Sequence, residues 1–195
     1  MSLDLAHLDP CTRRFMLAEL EADLAAGTLY CSPQLSEEGL RQYSRLLRAA
    51  VLTGTDGSFA EALRAHDAVR PPSRWQHPRE VGPGEALAAA TIRLAEREFH
   101  RFYIRGLCCR ALDQGVESLE IYRARPPDSG RAAADAMIGV RIDAGSLLED
   151  LRGTFRSLPP HGLPQCRDPG LSVRLPEDHG LGREAPSLAT QQAAR

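Results

Sequence analysis

Lysine and asparagine are both absent from this 195-residue chain, so all 24 of its basic residues are arginine. A Walker loop and a Schiff-base enzyme each require lysine, and a papain-type site orients its histidine with asparagine. N-linked glycosylation also requires asparagine. These three kinds of site and this modification are therefore excluded in their standard forms.

The chain also has few aromatic residues (5%), little net charge (−2) and no long apolar run. Nonspecific binding to polyanions usually requires a strongly basic chain. The apolar runs fall well short of the ~20 residues that cross a bilayer, and the opening MSLDLAHLDP lacks the pattern of a signal peptide. We therefore expect a cytoplasmic protein with no membrane partner, in which any contact with nucleic acid is local.

The cysteines show no spacing typical of a disulfide framework or a zinc site. Cys108 and Cys109 are neighbours, and on a regular helix they would point about 100° apart, too far to bind one metal ion together. We expect reduced thiols, with one of this pair in the core and the other at the periphery. The five positions are Cys11, Cys31, Cys108, Cys109 and Cys166.

Short helices are predicted for the N-terminal third. Asp9 before Pro10 is typical of a helix start and Gly27 of a helix end, so the first helix is expected over residues 10–26. Acidic residues outnumber arginine by 10 to 6 over residues 1–67. This part of the chain is predicted to be an acidic helical module.

Two more helices are expected in this module. Ser36 is the predicted N-cap of the second, which ends at Gly54. A capping box from Ser58 to Glu61 predicts a short third helix that continues to Leu63.

A proline-rich stretch follows over residues 70–84, with four prolines and two glycines. This composition predicts a linker or a loop rather than a regular element. It contains Trp75, the only tryptophan, which we expect to dock on its own chain rather than on a partner.

The strongest periodic signal is a long amphipathic helix over residues 85–113. With Ile92 taken as the zero of angle, apolar residues including Phe99 and Tyr103 share one broad face. The opposite face carries arginines at every fourth position: Arg93, Arg97, Arg101 and Arg105.

The C-terminal part predicts a small sheet with long loops. Strands are expected at 117–125, around 138–142 and at 171–175, with a short helix at SLLEDLR between the last two. The final residues lack periodicity and predict a disordered tail. The predicted class is α+β, with the long helix as the central packing element.

These elements divide the chain into four segments. The acidic helical module covers 1–69, the proline-rich linker or loop 70–84, the α+β domain 85–175 and the tail 176–195.

The row of four arginines could contact an acidic surface, because guanidinium groups bind phosphate or carboxylate through paired hydrogen bonds. Like charges four residues apart on a helix repel each other unless something negative faces them. DNA phosphate, a partner protein and the acidic N-terminal helices of the same chain all stay open as that surface. A solvated helix face is the remaining interpretation.

A second group of polar residues lies in the loop-like C-terminal sequence: His161, Cys166, Asp168 and His179. These residue types can bind zinc, but their spacing matches no finger or ribbon. We expect no metal, no cofactor and no catalytic residue.

The order of features in residues 85–175 resembles a degenerate form of the Mu F-like phage head morphogenesis domain. A long helix precedes GVESLEIYRAR, then DSGRAAADAMIGVRID, then PPHGLPQCRDPGLSVRLP. Where that family often has histidine before the glycine segment this chain has Asp135, and of its Asn-Cys-Arg-Cys motif only Cys166 and Arg167 are kept. The matching positions are Gly115, Tyr122, Asp128, Arg131, Ala136, Gly139, Pro160, Cys166 and Arg167.

The resemblance implies a minor head protein that contacts the portal, another head protein or DNA during phage or prophage assembly, and so a virion-associated location. Our leading hypothesis is a non-enzymatic structural or interaction protein. One alternative is a regulatory module that binds nucleic acid through the arginine-lined helix. The other is an enzyme without a recognisable motif.

Overall fold

A computed structural model describes residues 2–71, 82–126, 136–153 and 170–177. Within these ranges the chain forms five helices and one three-stranded antiparallel sheet, which confirms the α+β class. Along the chain they are α1 (Pro10–Ala26), α2 (Glu37–Thr53), α3 (Asp56–Ala65), α4 (Pro83–Asp113), β1 (Ser118–Arg123), β2 (Arg141–Asp143), α5 (Ala144–Gly153) and β3 (Leu171–Arg174).

Local capping explains where the N-terminal helices begin. The Asp9 carboxylate accepts a hydrogen bond from the Thr12 backbone N–H at 3.0 Å, and Ser36 caps α2 in the same way. The capping box of α3 begins three residues earlier than expected, because its N-cap is Thr55. Ser58 instead occupies the third position of the helix, and its hydroxyl accepts a hydrogen bond from the Thr55 backbone N–H at 2.8 Å.

Helix α4 is the central packing element, as predicted, with α1, α3 and α5 packed against it. Phe99, Tyr103 and Leu107 are fully buried on it. Gly106 lets α1 approach closely, since a Cβ atom there would lie 2.8 Å from the Met16 backbone nitrogen. Residues of both 1–69 and 85–175 contribute to one continuous hydrophobic core.

The sheet has the order β2-β1-β3. Its second strand is shorter than expected, because Gly139 adopts a left-handed backbone (φ 83°) within a tight turn. Gly139 N donates to Ile121 O, and Ile121 N donates to Val140 O. This pairing is a glycine bulge, and it replaces the start of the strand predicted around 138–142.

The N-terminal segment before α1 forms hydrogen bonds both to α3 and to the sheet. Leu3 N donates to the Asp56 carboxylate at 3.1 Å, and Asp4 N donates to Ala124 O at 2.8 Å. The Tyr122 hydroxyl accepts from Ala6 N at 2.9 Å. These contacts set the position of the N-terminal end of α3 relative to β1.

No helix in the described ranges is both long and apolar enough to cross a membrane. Most of the 70–84 stretch, including Trp75, lies outside the described residues, as does nearly all of the 176–195 tail. The four cysteines within the described ranges have free thiols. Cys108 is buried and Cys109 is half-buried, which matches the expected division between core and periphery.

Candidate interaction surface

The four arginines of the predicted row do not share one exposed face. Arg93 is exposed, Arg97 and Arg101 are half-buried, and the Arg105 side chain is only 1% exposed. An external ligand could therefore meet Arg93 directly, whereas Arg105 lies inside the protein. The row passes from the surface into the core along the helix.

Arg105 is held by two carboxylates of α1. Its Nη1 and Nη2 donate to the two oxygens of Asp23 at 2.6 and 3.0 Å, and its Nε donates to Glu19 at 2.9 Å. Arg152 of α5 also donates to Glu19, through Nε at 3.0 Å. For Arg105, the negative surface is therefore the chain's own first helix.

The surroundings of Glu19 determine its charge. Burial alone would raise the pKa of this carboxyl, but hydrogen bonds from Arg152 and Arg105 outweigh burial and hold the pKa below its usual value. Glu19 is thus ionised at neutral pH and links α1, α4 and α5 through charge-assisted hydrogen bonds.

The middle of the row also has partners within the chain. Arg97 pairs with Glu98 at 2.9 Å, and an Arg101 Nη2 donates to the Leu151 carbonyl. Burial raises the pKa of Glu98, and Arg97 offsets this only in part. The buried hydroxyl of Tyr43 lies beside the same carboxylate.

A histidine and a serine form the most enzyme-like pair. His100 Nε2 lies 2.9 Å from Ser172 Oγ, and burial lowers the pKa of His100 to about 4. The histidine is therefore neutral at pH 7 and could accept a proton. However, His100 is 3% exposed and Ser172 is 0% exposed, so a substrate cannot reach the hydroxyl in this conformation. The pair joins α4 to β3.

An open groove lies between α3 and the N-terminal half of α4, with a cavity of about 200 Å³. Small residues contribute to its walls, and Ile92 is 44% exposed beside it. We call this feature the α3/α4 groove. Its lining residues are Ser2, Asp56, Gly57, Ala60, Glu61, Arg64, Ala88, Thr91, Ile92 and Glu96.

The exposure of Ile92 differs from the sequence expectation, which took it as the reference direction for the apolar face. The apolar arc of α4 turns toward the core only from Leu94 onward, where the side chain is 1% exposed. In the first turns, Ala86 and Ala90 face the core instead.

The charges around the groove differ in their pairing. Asp56 is bonded to Leu3 N, and Glu96 pairs with Arg125 at 2.8 Å. In the described part of the chain, Glu61 and Arg64 are exposed and form no ion pair.

Sequence reasoning missed the burial and the pairing of Glu98, His100 and Ser172. Glu98 and His100 lie among the arginines in EREFHR, and periodicity treats such a run as a solvated face. The available signal was that apolar residues occur on every side of the helix, which is typical of a helix enclosed by other elements.

The candidate metal ligands His161, Cys166, Asp168 and His179 lie outside the described residues. Among the residues that are described, no group of three or more histidines, cysteines or carboxylates is arranged to hold a metal ion.

Comparison with known proteins gives no relative. No family model matches the chain, and neither a curated protein nor a solved structure matches it.

Proposed function

We propose that this chain is a non-enzymatic structural or interaction protein whose partner binds at the α3/α4 groove. The observation that carries the proposal is the contrast along α4. Arg105, Glu98 and His100 are engaged inside the protein, whereas Ile92 and Arg93 remain exposed beside an open cavity. A pocket of this size accommodates one large side chain, and such anchors supply much of the affinity of protein interfaces.

The specific form that we propose is a minor head protein of a phage or prophage, with the portal or another head protein as its partner. The resemblance over residues 85–175 supports this form. An arginine next to an exposed isoleucine also fits a protein interface, where arginine is enriched and apolar side chains form the centre.

The test is co-purification with the portal protein encoded near this gene. We expect a complex that Ile92→Glu abolishes, because a carboxylate would be buried without a partner. Leu112→Glu is the matched control, since Leu112 is 46% exposed near the other end of the same helix. A locus without portal or terminase genes, or a portal that does not bind, would contradict the head-protein form.

The same preparation distinguishes a nucleic-acid partner. If duplex DNA binds instead, Arg64→Gln with Arg93→Gln should weaken binding. The double variant should also flatten the dependence on salt by about one unit of slope for each lost phosphate contact. That result would replace the protein partner with the nucleic-acid alternative.

A further inference from the structure

The N-terminal half of α4 carries a row of residues in which two exposed and oppositely charged side chains flank a half-buried alanine. Glu85, Ala89 and Arg93 are spaced four apart, so they lie along one side of the helix. Glu85 and Arg93 are exposed, and neither forms an ion pair with any residue in the described ranges. Eight residues of helix separate them by about 12 Å, too far for them to pair with each other.

This row is complementary to itself. If two copies of α4 cross antiparallel with a two-fold axis at Ala89, Glu85 of one copy faces Arg93 of the partner subunit. The reverse pair forms at the other end, as a two-fold interface requires. The alanine at the centre permits a close approach of the two helices.

The apolar part of the same face supports this arrangement. Ile92 lies about 20° around the helix from Glu85, and Ala88 about 60° around on the same side. Both line the α3/α4 groove. In the antiparallel pair each Ile92 would meet the small residues of the other copy and lose its contact with water.

We propose that the face of α4 formed by Glu85, Ala88, Ala89, Ile92 and Arg93 binds a second copy of this chain, giving an antiparallel two-fold dimer. This inference rests on the proposed function, because it makes the first partner at the groove another copy of the protein, which a portal binding through Ile92 would have to displace. A second copy carries both charges and so complements this face better than a partner whose surface carries a single charge sign. Such a partner would be repelled by either Glu85 or Arg93.

The test is a charge exchange, read by sedimentation equilibrium of the full chain. We expect a dimer for the unaltered protein. Glu85→Arg alone and Arg93→Glu alone each place like charges opposite one another, so each should raise the dimer Kd by about tenfold or more. The combined variant restores opposite charges and should return the Kd to within about threefold of the original.

Folding is checked by circular dichroism, so that a misfolded single variant is not counted as a dissociated one. The combined variant keeps the test decisive, because only an antiparallel contact between these residues predicts recovery. A monomer at every concentration, or no recovery in the combined variant, would overturn the proposal.

A second measurement locates the axis. Two cysteines placed at Ala89 would face each other within disulfide reach if the axis passes there. In a Cys31→Ser background, which removes an exposed native thiol, mild oxidation of Ala89→Cys should give a covalent dimer. Ala49→Cys on the exposed side of α2 is the control and should not. A covalent dimer formed equally by both variants would count against the axis.

The outcomes separate this inference from the proposed function. A monomeric chain that still binds a portal protein through Ile92 would overturn the dimer alone. Because the dimer buries Ile92, the portal is also tested against the dissociated Glu85→Arg variant, and a dimer whose dissociated variant fails to bind the portal would leave the self-contact and overturn the head-protein form.

Discussion

The two halves of α4 use similar residues in opposite ways. In the N-terminal half an arginine and an isoleucine, Arg93 and Ile92, are exposed beside a groove. In the C-terminal half Arg105 and Ile104 are buried, and α1 supplies the carboxylates that the arginine needs. The difference teaches that the neighbours of a helix, rather than its own periodicity, decide which of its charged residues can meet a partner.

The largest difference in stability between the two halves is expected when Arg105 and Arg93 are each truncated to alanine. Arg105→Ala leaves Asp23 buried without its partner, and we expect a loss of about 3 kcal/mol in the free energy of unfolding. This loss is at the lower end of the range for a broken buried ion pair, because Glu19 retains its hydrogen bond from Arg152. Arg93→Ala should change that free energy by less than about 0.5 kcal/mol. Urea unfolding of both variants measures the difference, and equal losses would show that the halves are not distinct.

Two glycines of α4 give a comparison with a smaller expected effect, in which the two substitutions change stability in opposite directions. Gly106→Ala pushes a methyl group against Met16 of α1, and overpacking of this kind should cost about 2 kcal/mol despite the better helix propensity of alanine. At Gly84 nothing lies within 4 Å of the added Cβ, so Gly84→Ala should stabilise the protein by about 0.5 kcal/mol. Opposite shifts in Tm are expected. A stabilising Gly106→Ala would mean that α1 does not approach α4 as closely as described.

The smallest expected effect is on the pH dependence of stability. Because the pKa of Glu19 is lowered in the folded protein, its ionised form stabilises the fold above its unfolded pKa of about 4.5. That contribution disappears as the pH falls through the lower folded pKa. Glu19→Gln should therefore cost about 1 kcal/mol at pH 7 and less as the pH falls below about 4.5. Denaturation measured from neutral to acidic pH tests this, and a constant difference would contradict it.

Glu98 is the matched control for this pH dependence. Its folded pKa is raised by burial, so ionisation of Glu98 disfavours the folded state as the pH rises through its unfolded pKa toward the folded one. The free energy of unfolding of Glu98→Gln, relative to that of the unaltered protein, should therefore be highest at neutral pH. This trend is opposite to that of Glu19→Gln. Parallel trends would show that the two carboxyls do not differ in the way described.

The sequence predicts the helices well where local chemistry sets them. The bounds of α1 follow from Asp9, Pro10 and Gly27, and all three signals lie within or next to the helix. The α3 cap was misplaced because both Thr55 and Ser58 take part in it, and only the backbone shows which of them precedes the helix. The turn at Gly139 was missed because alternating apolar residues also fit a strand.

The candidate surface could be predicted from the sequence less well than the helices. The α3/α4 groove depends on how two helices separated by a proline-rich stretch pack together, and no local pattern records that. The burial of Arg105 depends on Asp23, which lies 82 residues earlier in the chain. A periodicity argument assigns arginine to solvent unless such a partner is known.

Arg13 shows how the first three helices are joined. Its guanidinium on α1 donates to the carbonyls of Ala50, Val51 and Gly54 at 3.2, 2.8 and 2.7 Å. These carbonyls lie at the end of α2 and in the corner before α3, where a helix has too few N–H donors for its last carbonyls. The last turn of α2 is therefore complete only when α1 is docked. Loss of α1 would leave that turn to fray, so the three helices should open to hydrogen exchange as one cooperative unit rather than one by one.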